Sequence, residues 1–259
     1  MSSRPRVLIT GAARRIGRAI ALELAAAGHD LVLHARTSAA EAQALAGELR
    51  ALGATADVAL GDLADPSACT AVFAQATAEG RALDALVNNA SHFGYDALDS
   101  FDVATLDAHM HVNAAAPLLL TRALHAHLQQ RGARGCVVNI LDQKLANPNP
   151  DYLSYTLSKA ALAATTRSLA LALAPALRAC AVSPGVTLPS GTMSEAEFAQ
   201  AQRMTPLQRS SSPQDVARAV RFLLESPAIT GVELLVDGGQ HLQTQPRDVM
   251  FLARGANHA

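Results

Sequence analysis

The chain predicts an α/β protein built on one doubly wound, parallel β-sheet with helices on both faces. Three observations lead there. Strand-like apolar runs alternate with helix-like periodic segments from end to end, which implies right-handed crossovers and a parallel sheet. The core material is aliphatic: 50% of the 259 residues are hydrophobic, only 3% are aromatic, and Trp is absent. The first strand-like run also ends in a glycine-containing turn that opens a helix.

In order, Val7-Leu8-Ile9-Thr10 reads as a buried strand. Ile16, Ala19, Ile20, Glu23, Leu24 and Ala27 follow at helical spacing, with Gly28 where a helix C′ residue belongs. Asp30 to His34 restarts a strand; Ser38-Ala39-Ala40-Glu41 has capping-box spacing and opens a helix that runs towards Leu52 and stops at Gly53. Thr55 to Leu60 is strand three, and Asp65-Pro66 makes an N-cap and N1 pair for the next helix. Ala85 to Asn88 is strand four, Val103 to about Gln130 is a long helical region, and Gly135 to Leu141 is strand five. Ser154 to Ala174 is helical, Leu177 to Ser183 is strand six, Ser212-Pro213-Gln214-Asp215 caps a helix to Glu225, and Val232 to Val236 is the last strand.

No linker, repeat or charge block divides the chain, so residues 1–259 are expected to form one domain. The stretch 187–209 is irregular, with Pro189, Gly191 and Pro206 around a short helix capped at Ser194-Glu195-Ala196-Glu197. A long excursion after a strand's carboxyl end is a candidate substrate lid; a plain surface insertion is the alternative. Beyond Gly239 the pattern fades, although Val249, Met250, Phe251 and Leu252 offer an apolar patch that could dock on a neighbour.

Charge excludes several classes. Lys plus Arg number 21 and Asp plus Glu 22, a net of −1, which leaves no electrostatic footprint for nucleic acid or an anionic membrane. Met1-Ser2-Ser3-Arg4-Pro5-Arg6 runs straight into the first strand with no leader-like apolar segment. Arg167 and Pro175 interrupt the most apolar later stretch, so no membrane span is expected. Cys69, Cys136 and Cys180 are odd in number and widely spaced, as expected of free thiols in a reducing cytoplasm. The histidines show no metal-ligand spacing, His125 and His127 facing different sides of one helix, and no metal is expected.

The chemistry-bearing residues cluster after strand ends. In Thr10-Gly11-Ala12-Ala13-Arg14-Arg15-Ile16-Gly17, Gly11 permits a tight turn and Gly17 close packing of helix on sheet. The helix N-terminus beyond presents unpaired N–H groups to a pyrophosphate, so Gly11, Arg14, Arg15, Ile16 and Gly17 are dinucleotide-binding candidates. After strand two a carboxylate for a ribose 2′-hydroxyl is missing from Leu33-His34-Ala35-Arg36-Thr37-Ser38. Arg36 can instead pair with a 2′-phosphate and Ser38 can add a hydroxyl, with His34 beside them, so the expected cofactor is NADPH/NADP+. Otherwise Arg36 is a solvated loop residue.

Asp142 ends strand five, and Tyr155 and Lys159 follow on a helix as i and i+4, about 40° apart around its axis. An ammonium so placed lowers a phenol's pKa and makes Tyr155 a proton donor near neutral pH; it also reaches ribose hydroxyls. Asn113 lies on the preceding helix.

Thr10-Gly11 with Gly17, Asn88-Asn89-Ala90, Asn113, Tyr155 with Lys159, and Pro184-Gly185 resemble, in order and spacing, the short-chain dehydrogenase/reductase family, up to Val236-Asp237-Gly238-Gly239. The resemblance implies a seven-stranded Rossmann-type sheet, a homotetramer, and hydride transfer between NAD(P) and a small substrate. It further implies that Asp62 and Leu63 flank the adenine and that Asn89 and Ala90 line the cofactor cleft. Asn113 helps hold a proton-relay water, and Pro184, Gly185, Val186 and Thr187 border the nicotinamide. The family usually has glycine in place of Arg15 and serine in place of Asp142. These departures, with Asn89-Ala90-Ser91-His92-Phe93, are similar to the pteridine reductases and bacterial dihydromonapterin reductases. That likeness implies an Asp142–Tyr155–Lys159 catalytic set, and a substrate held by Arg15, Ser91 and Phe93 together with Asp142 and Tyr155.

Chemistry agrees with the branch. A ketone needs a neutral hydroxyl beside Tyr155, and an ionised Asp142 repels its developing oxyanion. A pterin needs hydride at a ring carbon and a proton at the adjacent ring nitrogen, which Asp142 can relay through Tyr155 or a water. The expected function is NADPH-dependent reduction of a 7,8-dihydropterin or dihydrofolate, with no nucleic-acid or membrane partner. The alternatives are a carbonyl reductase of the same family and a non-catalytic NADPH sensor.

Overall fold

The computed structural model describes residues 4–190 and 193–256, so the extreme N-terminus and Gly191 of the candidate lid lie outside the described residues. Seven strands, β1 (Arg6–Ile9), β2 (Asp30–Ala35), β3 (Ala56–Leu60), β4 (Ala85–Asn88), β5 (Gly135–Ile140), β6 (Leu177–Pro184) and β7 (Glu233–Val236), form one sheet. Their order is β3-β2-β1-β4-β5-β6-β7, and every neighbouring pair is parallel. The order reverses between β1 and β4, so the loops beyond their carboxyl ends splay apart and leave a crevice there.

Alternation along the strands assigns the two faces. Val7, Ile9, Leu31, Leu33, Val87 and Val138 pack towards α1 (Arg15–Ala26), α2 (Ala39–Ala51) and α8 (Pro213–Glu225). Leu8, Val32, Leu86 and Val137 point the other way, to α3 (Pro66–Ala76), α5 (Ala116–Arg131) and α6 (Leu153–Ala172). A strand buried on both faces shows no polar alternation, which is why these segments read as continuous apolar runs.

Most caps appear where the residue types call for them. Asp65 accepts the Ser67 N–H at 2.8 Å, and Ser212 and Asp215 close a capping box at the start of α8. Ser38 differs: it precedes α2 without a side-chain cap bond, its φ −87° and ψ 49° lying outside the extended conformation of an N-cap, and Glu41 pairs with Arg14 across the turn between β1 and α1. The long helical region is interrupted: α4 (Val103–Met110) passes into a π-helical turn at His111–Ala115 before α5. An inserted π turn shifts the helix face by a fraction of a turn, and such turns frequently occur at functional sites.

The C-terminal patch docks on its own chain. Val249 and Ala253 of α9 (Val249–Ala256) pack with Ala201 of α7 (Glu195–Arg203), flanked by Val186, Met193 and Met204. Arg254 adds an ion pair to Glu197 at 3.1 Å. No helix among the described residues is long and apolar enough to cross a membrane, and no group of three or more His, Cys, Asp or Glu among them could hold a metal ion.

Candidate active site

A cleft of about 740 Å³ opens at the carboxyl ends of the strands. The turn between β1 and α1 forms one wall. Gly11 has φ +62°, and a Cβ at Gly17 would come within 2.2 Å of the Gly11 carbonyl oxygen and 2.7 Å of Asn89 Nδ2. Asn89 stitches this turn to the β4 end, its amide donating to the carbonyls of Thr10 (2.8 Å) and Gly11 (3.1 Å). Gly17→Ala is expected to cost about 1–3 kcal/mol of stability and to open the turn, because the contact is with backbone. Urea unfolding and dinucleotide titration check both effects.

His34 fastens the same turn from β2. Its Nδ1 accepts the Gly11 N–H at 3.1 Å and its Nε2–H donates to the Gly61 carbonyl at 3.0 Å, so the neutral Nε2–H tautomer is fixed by its partners. Burial also lowers its pKa. Arg36 is exposed and only loosely paired with Asp62, at 3.8 Å. Such a pair is worth about 0–1 kcal/mol, so Arg36 can turn to an anion at little cost. Arg15 stands at φ +54°, a conformation that glycine adopts freely, and donates to the Pro189 carbonyl at 3.0 Å. The arginine thus occupies a glycine-type position and ties the turn to the 187–209 stretch.

At the other end the Asp142 carboxylate accepts the Tyr155 hydroxyl at 2.8 Å and the Lys144 N–H at 2.9 Å. Lys159 donates from Nζ to the Ile140 carbonyl at 2.7 Å. Burial raises the Asp142 pKa. Burial first, then the Asp142 charge, pushes the Tyr155 phenol well above its ordinary range. Burial lowers Lys159 to about 8. In this arrangement the phenol is raised, chiefly by burial, where the i, i+4 spacing with Lys159 suggested that it would be lowered. One hydrogen bond thus joins Tyr155 to Asp142, and burial favours the neutral form of each.

The sequence-predicted residues converge closely. Gly11, Arg14, Arg15, Ile16, Gly17, His34, Arg36, Asp62, Leu63, Asn89, Ala90, Ser91, Phe93, Asp142, Tyr155, Lys159 and Pro184 to Thr187 all line the cleft. Two do not. Ser38 stays outside at the start of α2. Asn113, fully buried in the π turn, spends its amide on the loop 91–92 and on α6. Its Oδ1 accepts the His92 N–H at 2.7 Å and the Ser91 hydroxyl at 3.2 Å, and its Nδ2 donates to the His92 carbonyl at 2.9 Å and to Ser158 Oγ at 3.0 Å. That fills an amide's capacity, so its side chain holds the loop rather than a water.

Other residues were not anticipated. Tyr152 lies at φ +56° and stacks on Phe93 with ring centroids 4.6 Å apart, while the Tyr155 ring meets Phe93 edge-on at 4.8 Å. Phe93 nonetheless stays 48% exposed at the cleft. Lys144, Asn149, Gln245, Asp248 and Met250 complete the wall. The last three come from the C-terminal segment, whose sequence has no periodicity that points at a site a hundred residues away.

A family model described as enoyl-(acyl carrier protein) reductase matches residues 11–241. The crystal structure of FolM alternative dihydrofolate reductase 1 from Brucella canis, complexed with NADP, superposes with a TM-score of 0.86 at 38% identity, covering 96% of this chain and 98% of that one. Pteridine reductase 1 of Leishmania tarentolae is 34% identical, covering 92% of this chain and 96% of its own. A 3-oxoacyl-(acyl-carrier-protein) reductase of Staphylococcus aureus is 30% identical, over 91% and 97% of the two chains. The glycine turn, the Tyr155–Lys159 pair and these full-length likenesses agree: the chain belongs to the short-chain dehydrogenase/reductase family of oxidoreductases, on its pteridine-reductase-like side.

Proposed function

We propose that the protein reduces a pterin, taking a 7,8-dihydropterin or dihydrofolate to the tetrahydro form with NADPH. The observation that carries this reading is the half-buried Asp142 carboxyl, bonded to Tyr155 at 2.8 Å at the cleft. The Brucella canis and Leishmania tarentolae relatives support it.

The cleft fits a phosphorylated dinucleotide. A Cβ at Gly17 would collide with backbone at 2.2 Å, so the turn keeps the close approach that a pyrophosphate uses. Arg14 and Arg15 line the same wall, and Arg36, also at the cleft, supplies a cation for a 2′-phosphate. A reduced nicotinamide, when bound, supplies the hydride. The chain's own residues do the rest: Phe93, backed by Tyr152, offers its exposed ring to a flat heterocycle. Tyr155 delivers a proton to a ring nitrogen, Asp142 restores it, and Lys159 fixes the neighbouring hydroxyls. Residues 187–209 act as a lid over the ligand, with Thr187, Leu188, Ser190 and Met193 at the cleft.

Likeness to the Staphylococcus aureus reductase keeps a carbonyl substrate as the second reading. The deciding experiment measures NADPH oxidation against dihydropterins, dihydrofolate and simple ketones. Turnover of pterins or dihydrofolate supports the first reading; turnover of ketones alone overturns it. For the cofactor, NADPH is expected to bind at least about tenfold more tightly than NADH, about 1.4 kcal/mol. Arg36→Asp erases that preference without unfolding the protein, and fluorescence titration reads both constants.

A further inference from the structure

We propose that Lys144 and Asp248 form a charge-balancing pair that positions the proton supply, with the C-terminal segment carrying Asp248 into the cleft to cancel the ammonium that Lys144 would otherwise turn on Asp142. This rests on the pterin-reductase reading for its kinetic consequence and on geometry for its existence.

Lys144 is only 3% exposed, follows Asp142 in the same short turn, and donates its own N–H to the Asp142 carboxylate at 2.9 Å. Its ammonium donates to Asn149 Oδ1 at 2.5 Å and lies 3.5 Å from Asp248 Oδ2. It also faces the Tyr152 ring, 5.3 Å from the centroid. Asp248 is locked by its neighbours. Its N–H donates to Asp151 at 2.7 Å and its Oδ1 accepts the Met250 N–H at 3.1 Å. Asp151, almost fully buried, is gripped in turn by Nε and Nη2 of Arg247 at 2.7–3.0 Å. The C-terminal segment is therefore held in place by a polar clamp, and one carboxylate oxygen of Asp248 is left for Lys144.

The charged and titratable groups facing Asp142 come from three elements: Lys144 on its own turn, Tyr155 and Lys159 on α6, and Asp248 on the C-terminal segment. Burial raises Asp142, Lys159 opposes that rise, and Asp248 reinforces it. A lone Lys144 charge would draw the proton off Asp142; Asp248, 3.5 Å from that ammonium, sets an opposing field beside it. The balance therefore holds Asp142 nearer its protonated form than the Lys144 ammonium alone would allow.

The pair makes a signed prediction. Asp248→Asn removes the carboxylate paired with the Lys144 ammonium and leaves only the Arg247-bound Asp151 to oppose it from the clamp, so the descending limb of pterin reduction moves towards acid. Lys144→Met keeps the N–H to Asp142 but leaves Asp248 unopposed, so the same limb moves towards alkali. The double variant returns towards the native profile. A purely structural pair would lower rates without opposite displacements, and displacements of one sign would overturn the proposal. Carbon-13 NMR titration of the Asp142 carboxyl in the native protein and the three variants reads the same displacements without substrate. An Asp142 titration unmoved in folded, NADPH-binding variants also defeats the proposal. The NMR arm stands even if native enzyme turns over no pterin, an outcome that would sink only the reading of function.

Discussion

Tyr155→Phe is expected to lower turnover about 10²–10⁴-fold, the span of a lost general acid, while NADPH still binds. Phe keeps the ring that meets Phe93 edge-on at 4.8 Å and removes only the hydroxyl that donates to Asp142 at 2.8 Å. The carboxyl left behind retains the Lys144 N–H, so the fold is expected to survive. Lys159→Ala behaves differently, losing turnover and part of the NADPH affinity together, since its ammonium is the cation beside the hydroxyl-binding end of the cleft. Rapid-mixing kinetics with an independent NADPH titration separate the two. A Tyr155→Phe enzyme with near-native activity would place the proton donor elsewhere.

The layered sheet was legible because burial on both faces writes continuous apolar runs, and because Asp65 and Ser212 are side chains that cap from one position. The turn between β1 and α1 was legible for a similar reason: a turn that admits no Cβ at Gly17 leaves a mark in a single residue. Competition between neighbours was harder to see. The Ser38–Glu41 spacing suits a capping box, yet Arg14, brought across from the α1 start, claims the glutamate. Asn113 carries a readable motif, but the sequence does not show that its amide is spent on Ser91, His92 and Ser158, holding two residues that line the cleft without lining it itself. Contacts between distant segments left no local signal at all. Lys144 with Asp248 and Asp151 with Arg247 are about a hundred residues apart in sequence, and only the docking of α9 on α7 brings them to the site.

Asp142→Ser is expected to depress pterin reduction by about 10²-fold or more without destabilising the protein above neutral pH. Burial raises the Asp142 pKa in the folded state. A carboxyl raised in this way favours the fold below its ordinary range, and that contribution is lost as pH rises through the folded value. Serine removes the group that suffers this loss, so urea unfolding at pH 8 should find the variant no weaker than the native chain, a trade of stability for function. Activity follows the same proton: native pterin reduction falls as pH rises and Asp142 ionises, and Asp142→Ser flattens that fall. Any activity gained appears on simple ketones, for which a neutral hydroxyl beside Tyr155 suits the developing oxyanion. Phe93→Ala complements it, weakening dihydropterin binding by about 1–3 kcal/mol, the range of base–aromatic stacking, with NADPH affinity little changed. Robust ketone reduction by the native enzyme, with no turnover of or inhibition by any pterin or folate, would defeat this reading and leave the Asp142 carboxyl, 2.8 Å from the Tyr155 hydroxyl, unexplained.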